Sequence, residues 1–396
     1  MFNYLIIILI ILLASVYLVS DYRGPKRISL HPNIIFNMKC SVAKELIVQE
    51  FDRKGNIWAS RGLVLYLLEA GDDYFSRIAH VPVGLSFFWL NNFSLFRRYT
   101  NKPECMEATV AEEGHICAFS GGYMWYLPSG GHKFCKTMKL SHFGLGVGRG
   151  ILSNGLLSVH NGRFFFGEYF GNQGRSDVNI YESMDNGQTW EVAYRFRPGS
   201  IRHVHALQED PYTGRLWVCT GDHDHEAMIA WSDDGFRTIN QIGTGSQVWR
   251  TTQLVFTENA VFWGTDTGSE DLSGIYCWDK VTMQLTRLHK TNGGILFGTK
   301  LSGNTMIFSS DREGFPNEKD NRTRLFVLKT TDKMSEIEFG TWKHRKRGYR
   351  FSFAMLRMQR NQGKKQLVVS VINQKEFQNG EFFMFNEEDL IMQNTD

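Results

Sequence analysis

The stretch Ser183–Trp190, SMDNGQTW, decides the reading of this chain, and Trp231–Thr238, WSDDGFRT, repeats it one unit later. Ser183 and Ser232 stand 49 residues apart, each after a short apolar segment, NIY in the first unit and MIA in the second. The pattern Ser-x-Asp-x-Gly-x-Thr-Trp puts Asp and Gly where a tight hairpin needs side-chain-to-backbone hydrogen bonds and a positive φ, with the Trp packing beneath. Such a unit closes one antiparallel hairpin and pins its register.

Ser183, Asp185, Gly187, Thr189 and Trp190 together resemble the Asp-box, or BNR repeat, of sialidase-like β-propellers. The second copy keeps Ser232, Asp234 and Thr238, displaces its glycine to Gly235 and lacks the Trp. The resemblance implies an all-β propeller scaffold. Asp-boxes carry no chemistry themselves, so function has to be read elsewhere.

The rest of the chain fits that scaffold. Its 396 residues suffice for one large β domain, and 14% aromatic content with 38 Gly and 8 Pro suits many short strands joined by glycine-containing turns. Apolar strand centres recur near Tyr66, Trp125, Tyr181, Ala230, Tyr276, Phe326 and Phe383, spaced by 46 to 59 residues and each followed by a charged or glycine-containing turn. Seven blades of four strands are expected over residues 38–390, with six as the alternative and strands from both termini closing the ring. Residues 21–37 read as a linker and 391–396 as a tail. No sustained helical period calls for a helical domain.

A formal net charge of +3 excludes a molecule that binds nucleic acid through its overall charge. The six cysteines show no zinc spacing, and Cys219 and Cys277 read as buried thiols. Phe2–Val19 is an uncharged apolar run of 18 residues, about 27 Å long as a helix, and reads as a single-pass membrane anchor or a signal peptide. Arg23, Lys26 and Arg27 behind it favour a cytoplasmic domain; the acceptor patterns at Asn92 and Asn321 suit an exported one. The side of the membrane stays open. A basic run, Lys343–Arg350, reads as an exposed turn or a contact for an anionic polymer or surface.

Polar residues gather where inner strands should reach the binding face: Arg149; Glu168 and Tyr169; Arg202, His203 and His205; Asp222 through Glu226; Gln247 and Arg250; Asp266; and Asp311 through Glu313. His203 and His205 alternate along a strand and face one side, as a divalent metal ion or a carboxylate would require. His225 is the third candidate ligand.

Three functions follow. A glycoside hydrolase on an acidic glycan would use Asp222 or Glu168 as acid, while Arg149, Arg202, Gln247, Arg250, Asp266 and Arg312 hold substrate. Tyr169 and His205 complete its catalytic candidates. The Arg-Ile-Pro motif of true sialidases is missing, and their Tyr and Glu come from different blades, unlike the adjacent Glu168-Tyr169 pair. A polysaccharide lyase similar to seven-bladed lyases of uronic-acid polymers would place a metal on His203, His205, His225 and Gln247, with Tyr169 or Arg250 handling protons or charge. A non-catalytic platform would bind a glycan or protein partner, with Trp217, Trp249 and Trp263 stacking on sugars unless they belong to the blade core.

Overall fold

The computed structural model describes residues 6–11, 24–82, 106–144, 147–303, 305–329, 334–343 and 353–391. Apolar runs too short for helices, bounded by turns, become antiparallel strands throughout. Among the described residues they build seven sheets of four or five strands, plus one small sheet of three. The seven inner strands are Ile47–Phe51, Glu107–Val110, Leu156–Ser158, His203–Glu209, Leu254–Phe256, Ile295–Lys300 and Met355–Met358, and they number sheets one to seven below.

Each gap between neighbouring sheets holds its own apolar cluster. Trp58 and Leu65 of sheet one meet Ala108 and Ile116 of sheet two. Val368 and Phe382 of sheet seven meet Val48 and Tyr66 of sheet one. That last cluster closes the ring, and the fold is a β-propeller. Because each sheet is covered on both faces, inner strands such as Ile47–Phe51 are buried at every position.

The termini complete the closure. Met38–Ala43 pairs with Glu381–Asn386, with Ser41 opposite Met384 and Ala43 opposite Phe382, so N-terminal chain finishes the C-terminal sheet. Residues 21–37 are more than the expected linker: Arg27–Ser29 adds an outer strand to sheet one, and His31–Ile35 adds one to sheet seven. Helix Glu387–Ile391 follows the last strand and buries Leu390 fully.

Most of the apolar N-terminal run lies outside the described residues, apart from helical Ile6–Ile11 with exposed side chains. No helix among the described residues is long and apolar enough to cross a membrane. The acceptor pattern at Asn92 and the basic run beyond Lys343 also lie outside them.

Both Asp-box loops close alike. The Ser183 hydroxyl meets Asp185 Oδ1 at 2.8 Å and accepts the Gly187 N–H, while Asp185 accepts the N–H and the hydroxyl of Thr189. Ser232, Asp234 and Thr238 repeat every one of these bonds, with Phe236 at the position of Gly187. Phe236 takes φ 63° there and is fully buried against Phe165. The buried ring offsets the cost of a left-handed residue that glycine would avoid.

Burial opposes ionisation of Asp185, but the bonds from Thr189 and Ser183 outweigh it and hold the carboxyl below its ordinary value. Asp185→Ala is expected to cost about 1 kcal/mol, the usual worth of such a side-chain cap on an exposed loop. The sign with pH follows from the lowered value: the contribution is complete above the unfolded carboxylate range and fades as pH falls through the folded one. Denaturant titration at neutral and acid pH checks both.

Inside the ring, the inner strands carry charge. Arg357 of sheet seven is 1% exposed and forks onto Glu107 of sheet two at 2.9 and 2.6 Å, touching Gln49 of sheet one at 3.4 Å. Arg360 meets Glu50 at 3.2 Å and the carbonyls of Ala108 and Leu156. These arginines tie four sheets together near the axis.

Candidate functional site

At one end of the ring, inner strands begin and second strands finish, so residues 203, 222, 250, 266 and 311 come from neighbouring positions on three sheets. His203 opens the inner strand of sheet four opposite Gly221, and the register slips between Val204 and Ala206. The bulge at His205 turns its ring to the side of His203. Gly221 permits this, since a Cβ there would lie 2.4 Å from the His205 ring.

The result is a triangle. His203 Nε2, His205 Nε2 and Asp222 Oδ1 are each 3.2 Å from the other two. The far nitrogens are committed: His203 Nδ1 lies 2.9 Å from the Phe170 carbonyl, and His205 Nδ1 lies 3.2 Å from that of Thr251. A carbonyl only accepts, so each Nδ1 is the donor and each neutral ring turns its Nε2 lone pair inward. Two lone pairs and a carboxylate oxygen converging without a hydrogen repel one another unless a cation sits among them. Cis donors about 2.2 Å from an octahedral ion are about 3.1 Å apart, so the spacing fits a divalent metal. Among the described residues this is the set of His, Cys, Asp and Glu able to hold an ion.

The surroundings reinforce that chemistry. Burial lowers the His203 pKa, keeping the ring neutral and available as a ligand. Burial works against charge on Asp222. Arg202 at 2.6 Å and Arg250 at 3.5 Å from Asp222 keep it ionised even with neutral imidazoles. Arg250 also reaches Asp266 at 3.1 Å; burial disfavours its charge, yet Asp266 and Asp222 raise its pKa. Tyr169 stacks on His203 at 4.0 Å, and burial followed by the Asp222 charge pushes its hydroxyl up to about 12. It is therefore a proton donor at neutral pH and no ready nucleophile.

Several expected residues fall elsewhere. Asp222 is ion-paired with Arg202 and Arg250 inside the triangle, an environment that favours its ionised form over an acid's. Glu168 is buried and accepts both the backbone and side-chain N–H of Asn179, with His142 at 3.3 Å, so it is engaged in sheet three. His225 departs furthest: residues Asp224–Glu226 form a 3-10 turn, and the side chain of His225 is 71% exposed, outside the triangle. Gln247 is likewise no ligand; it donates to the Asp222 carbonyl and to Asp224. Arg312 is fully buried on Asp320 and the Asp311 carbonyl. Arg149 is exposed, near enough to Tyr169 to stabilise its phenolate. Trp217 and Trp263 are core residues, 2% and 0% exposed, and Trp249 packs against Trp263.

Glu226, the last residue of the polar run that opens at Asp222, is buried and accepts Arg175 while receiving the N–H groups of Asp222 and His223. It props the loop that presents Asp222. Cys40, Cys117, Cys135, Cys219 and Cys277 are free thiols, and burial raises those of Cys219 and Cys277.

No family model and no curated protein matches the chain. Among solved structures it is similar to YCF48 from Cyanidioschyzon merolae, at 11% identity and a TM-score of 0.52, over 91% of this chain and 99% of that one. It is similar to an oligogalacturonate lyase in complex with manganese, at 11% identity and a TM-score of 0.52, over 92% and 99%. YCF48 bound to a D1 peptide gives a TM-score of 0.50 at 11% identity, over 90% and 95%. At these identities the likeness is one of fold, shared by proteins that bind peptides and by one that acts on a carbohydrate.

Proposed function

We propose that this propeller is a metal-assisted lyase acting on a uronic-acid-containing polysaccharide. The observation that carries the reading is the triangle of His203 Nε2, His205 Nε2 and Asp222 Oδ1, each pair 3.2 Å apart with both Nδ1 atoms tied to carbonyls. A divalent cation bound there would draw electron density from a uronate carboxylate and acidify the proton on the adjacent carbon. Around it, Arg202 and Arg250 offer guanidinium groups, each partly open to solvent, suited to the same carboxylate. Tyr169 keeps its proton and packs His203 in place.

Elimination suits these residues better than hydrolysis. Of the two carboxyls expected to serve a hydrolase as acid, Asp222 is ion-paired with Arg202 and Arg250 and Glu168 is occupied by Asn179. A propeller similar in fold and described in complex with manganese acts on oligogalacturonate, which adds support from architecture.

The test is incubation of the protein with a panel of acidic and neutral polysaccharides, reading new reducing ends and ultraviolet absorbance of an unsaturated uronate, with and without chelator. Absorbance that chelator abolishes and divalent metal restores is expected. Reducing ends without absorbance would turn the reading to hydrolysis, and binding without either product to the platform.

A further inference from the structure

A cavity of about 350 Å³ opens between sheets five and six and has no part in the proposed chemistry. Its volume lies in the range of small-ligand sites. Three connections wall it, all at the end of the ring that carries the triangle. Glu270 lies on the loop that leaves the second strand of sheet five, four residues after Asp266. Asn317 and Lys319 lie on the loop that leaves the second strand of sheet six, and Lys290 and Thr291 on the link from the last strand of sheet five to the inner strand of sheet six. Four residues span at most about 14 Å, and Asp266 shares Arg250 with Asp222, so the cavity adjoins the mouth at the triangle.

Hydrogen bonds fix these walls and leave one acceptor unused. Asn292 Oδ1 accepts the Lys319 N–H at 2.7 Å, which ties two of the connections together. Ser273 Oγ lies 2.6 Å from the Ser269 carbonyl and 2.9 Å from that of Thr267, so its proton is committed and its lone pair accepts Asn317 Nδ2 at 2.8 Å. That bond sets the orientation of the amide. Asn317 is 7% exposed, and its Oδ1 receives no donor. A buried carbonyl oxygen left so costs free energy that a ligand hydroxyl would recover.

The charged lining is paired except at one place. Lys319 faces Glu270 at 3.6 Å; Glu336 meets His289 at 3.0 Å and Arg324 at 3.5 Å; and Arg324 also meets Asp320 and Glu338. The Lys290 ammonium has neither an ion pair nor a hydrogen bond among the described residues. We propose that this cavity is an accessory subsite for one uronate unit of the polymer, with the carboxylate on Lys290 and a ring hydroxyl donating to Asn317 Oδ1. Phe326 supplies aromatic surface for the apolar side of the sugar. A neutral sugar would leave Lys290 unused, and a cationic ligand would meet carboxylates that are already paired. The identity of the ligand rests on the uronate reading above, whereas the cavity and its two unused groups do not.

Calorimetric titration with a galacturonate oligomer, and with a neutral galactose oligomer of equal length, tests the subsite. Chelator is present first, so that the triangle holds no metal. The acidic oligomer should still bind, and Lys290→Glu should weaken it by about five- to tenfold, because an exposed attraction becomes a repulsion. Asn317→Leu should weaken it by up to about tenfold, the worth of one hydrogen bond. Lys290 is exposed, so its variant keeps the test open should Asn317→Leu fold poorly. The neutral oligomer should bind more weakly and respond little to Lys290→Glu. Equal affinity of the wild type and Lys290→Glu, no binding of the acidic oligomer, or equal binding of the two oligomers would each overturn the proposal. Binding that needs metal and survives Lys290→Glu would overturn it too, while leaving the uronate reading in place. Weakened binding in Lys290→Glu, with no unsaturated product when metal is restored to the wild type, would uphold the subsite and remove the lyase reading instead.

Discussion

Arg357→Leu will destabilise the protein by about 3–5 kcal/mol, the usual cost of removing one partner from a buried ion pair. Arg357 is 1% exposed and its fork fills both oxygens of Glu107, so the substitution strands a carboxylate between inner strands with no cation in place. Glu107→Leu should cost a comparable amount for the converse reason. The double variant should cost less than the two singles together, because neither charge is left behind. Chemical denaturation of all three proteins measures the coupling. Additive losses would mean that the pair is a bystander and that the apolar clusters between sheets hold the ring alone.

His205→Ala will weaken divalent-metal binding by at least about 100-fold, more than the 10–100-fold typical of losing a residue that merely supports a ligand. The argument is geometric. Removing His205 takes away one of three converging donors and also frees the Thr251 carbonyl that held its ring. Asp222→Asn should fall in the same class, since it removes the one negative ligand and unbalances Arg202 and Arg250. His225→Ala, on its exposed turn, should bind as the wild type does. Calorimetric titration with Mn2+ after chelator treatment separates these outcomes, and equal binding by all four proteins would remove the triangle from consideration.

Much of this fold is written locally. The Ser183 and Ser232 loops identify outer hairpins because their side chains bond to backbone within five residues, so the signal survives in sequence. Even the degenerate copy closes fully, with Phe236 at the left-handed position, which composition alone would have counted against it. His203 and His205 were legible because alternation along one strand predicts two rings on one side, an arrangement that the bulge at His205 delivers here. Their third partner was not. The run of five ionisable residues offered His225 as the third ligand and Asp222 as an acid, and the 3-10 turn at Asp224 sends Asp222 inward and His225 to solvent.

Contacts between distant sheets left fainter traces. Arg357 lies in MLRM and Glu107 in EATV, apolar strands in which a single charge passes for a surface position, although all eight residues are buried. A lone charge inside a run predicted to be buried on both faces was the available sign. Arg312 misled in the opposite way. It looked like a substrate-holding arginine, and its guanidinium is fully buried on Asp320, while its neighbours Asp311 and Glu313 carry the unusual environment.

The central claim is that two imidazoles and one carboxylate hold a divalent ion at the mouth of the propeller. Pulsed electron paramagnetic resonance of the protein loaded with one equivalent of Mn2+ addresses it most directly, because echo modulation reports the nitrogens bound to the ion. The account predicts coupling from two histidine nitrogens in the wild type, one in His205→Ala and two in His225→Ala. A Mn2+ signal with no nitrogen coupling, or one unchanged in His205→Ala, would contradict it.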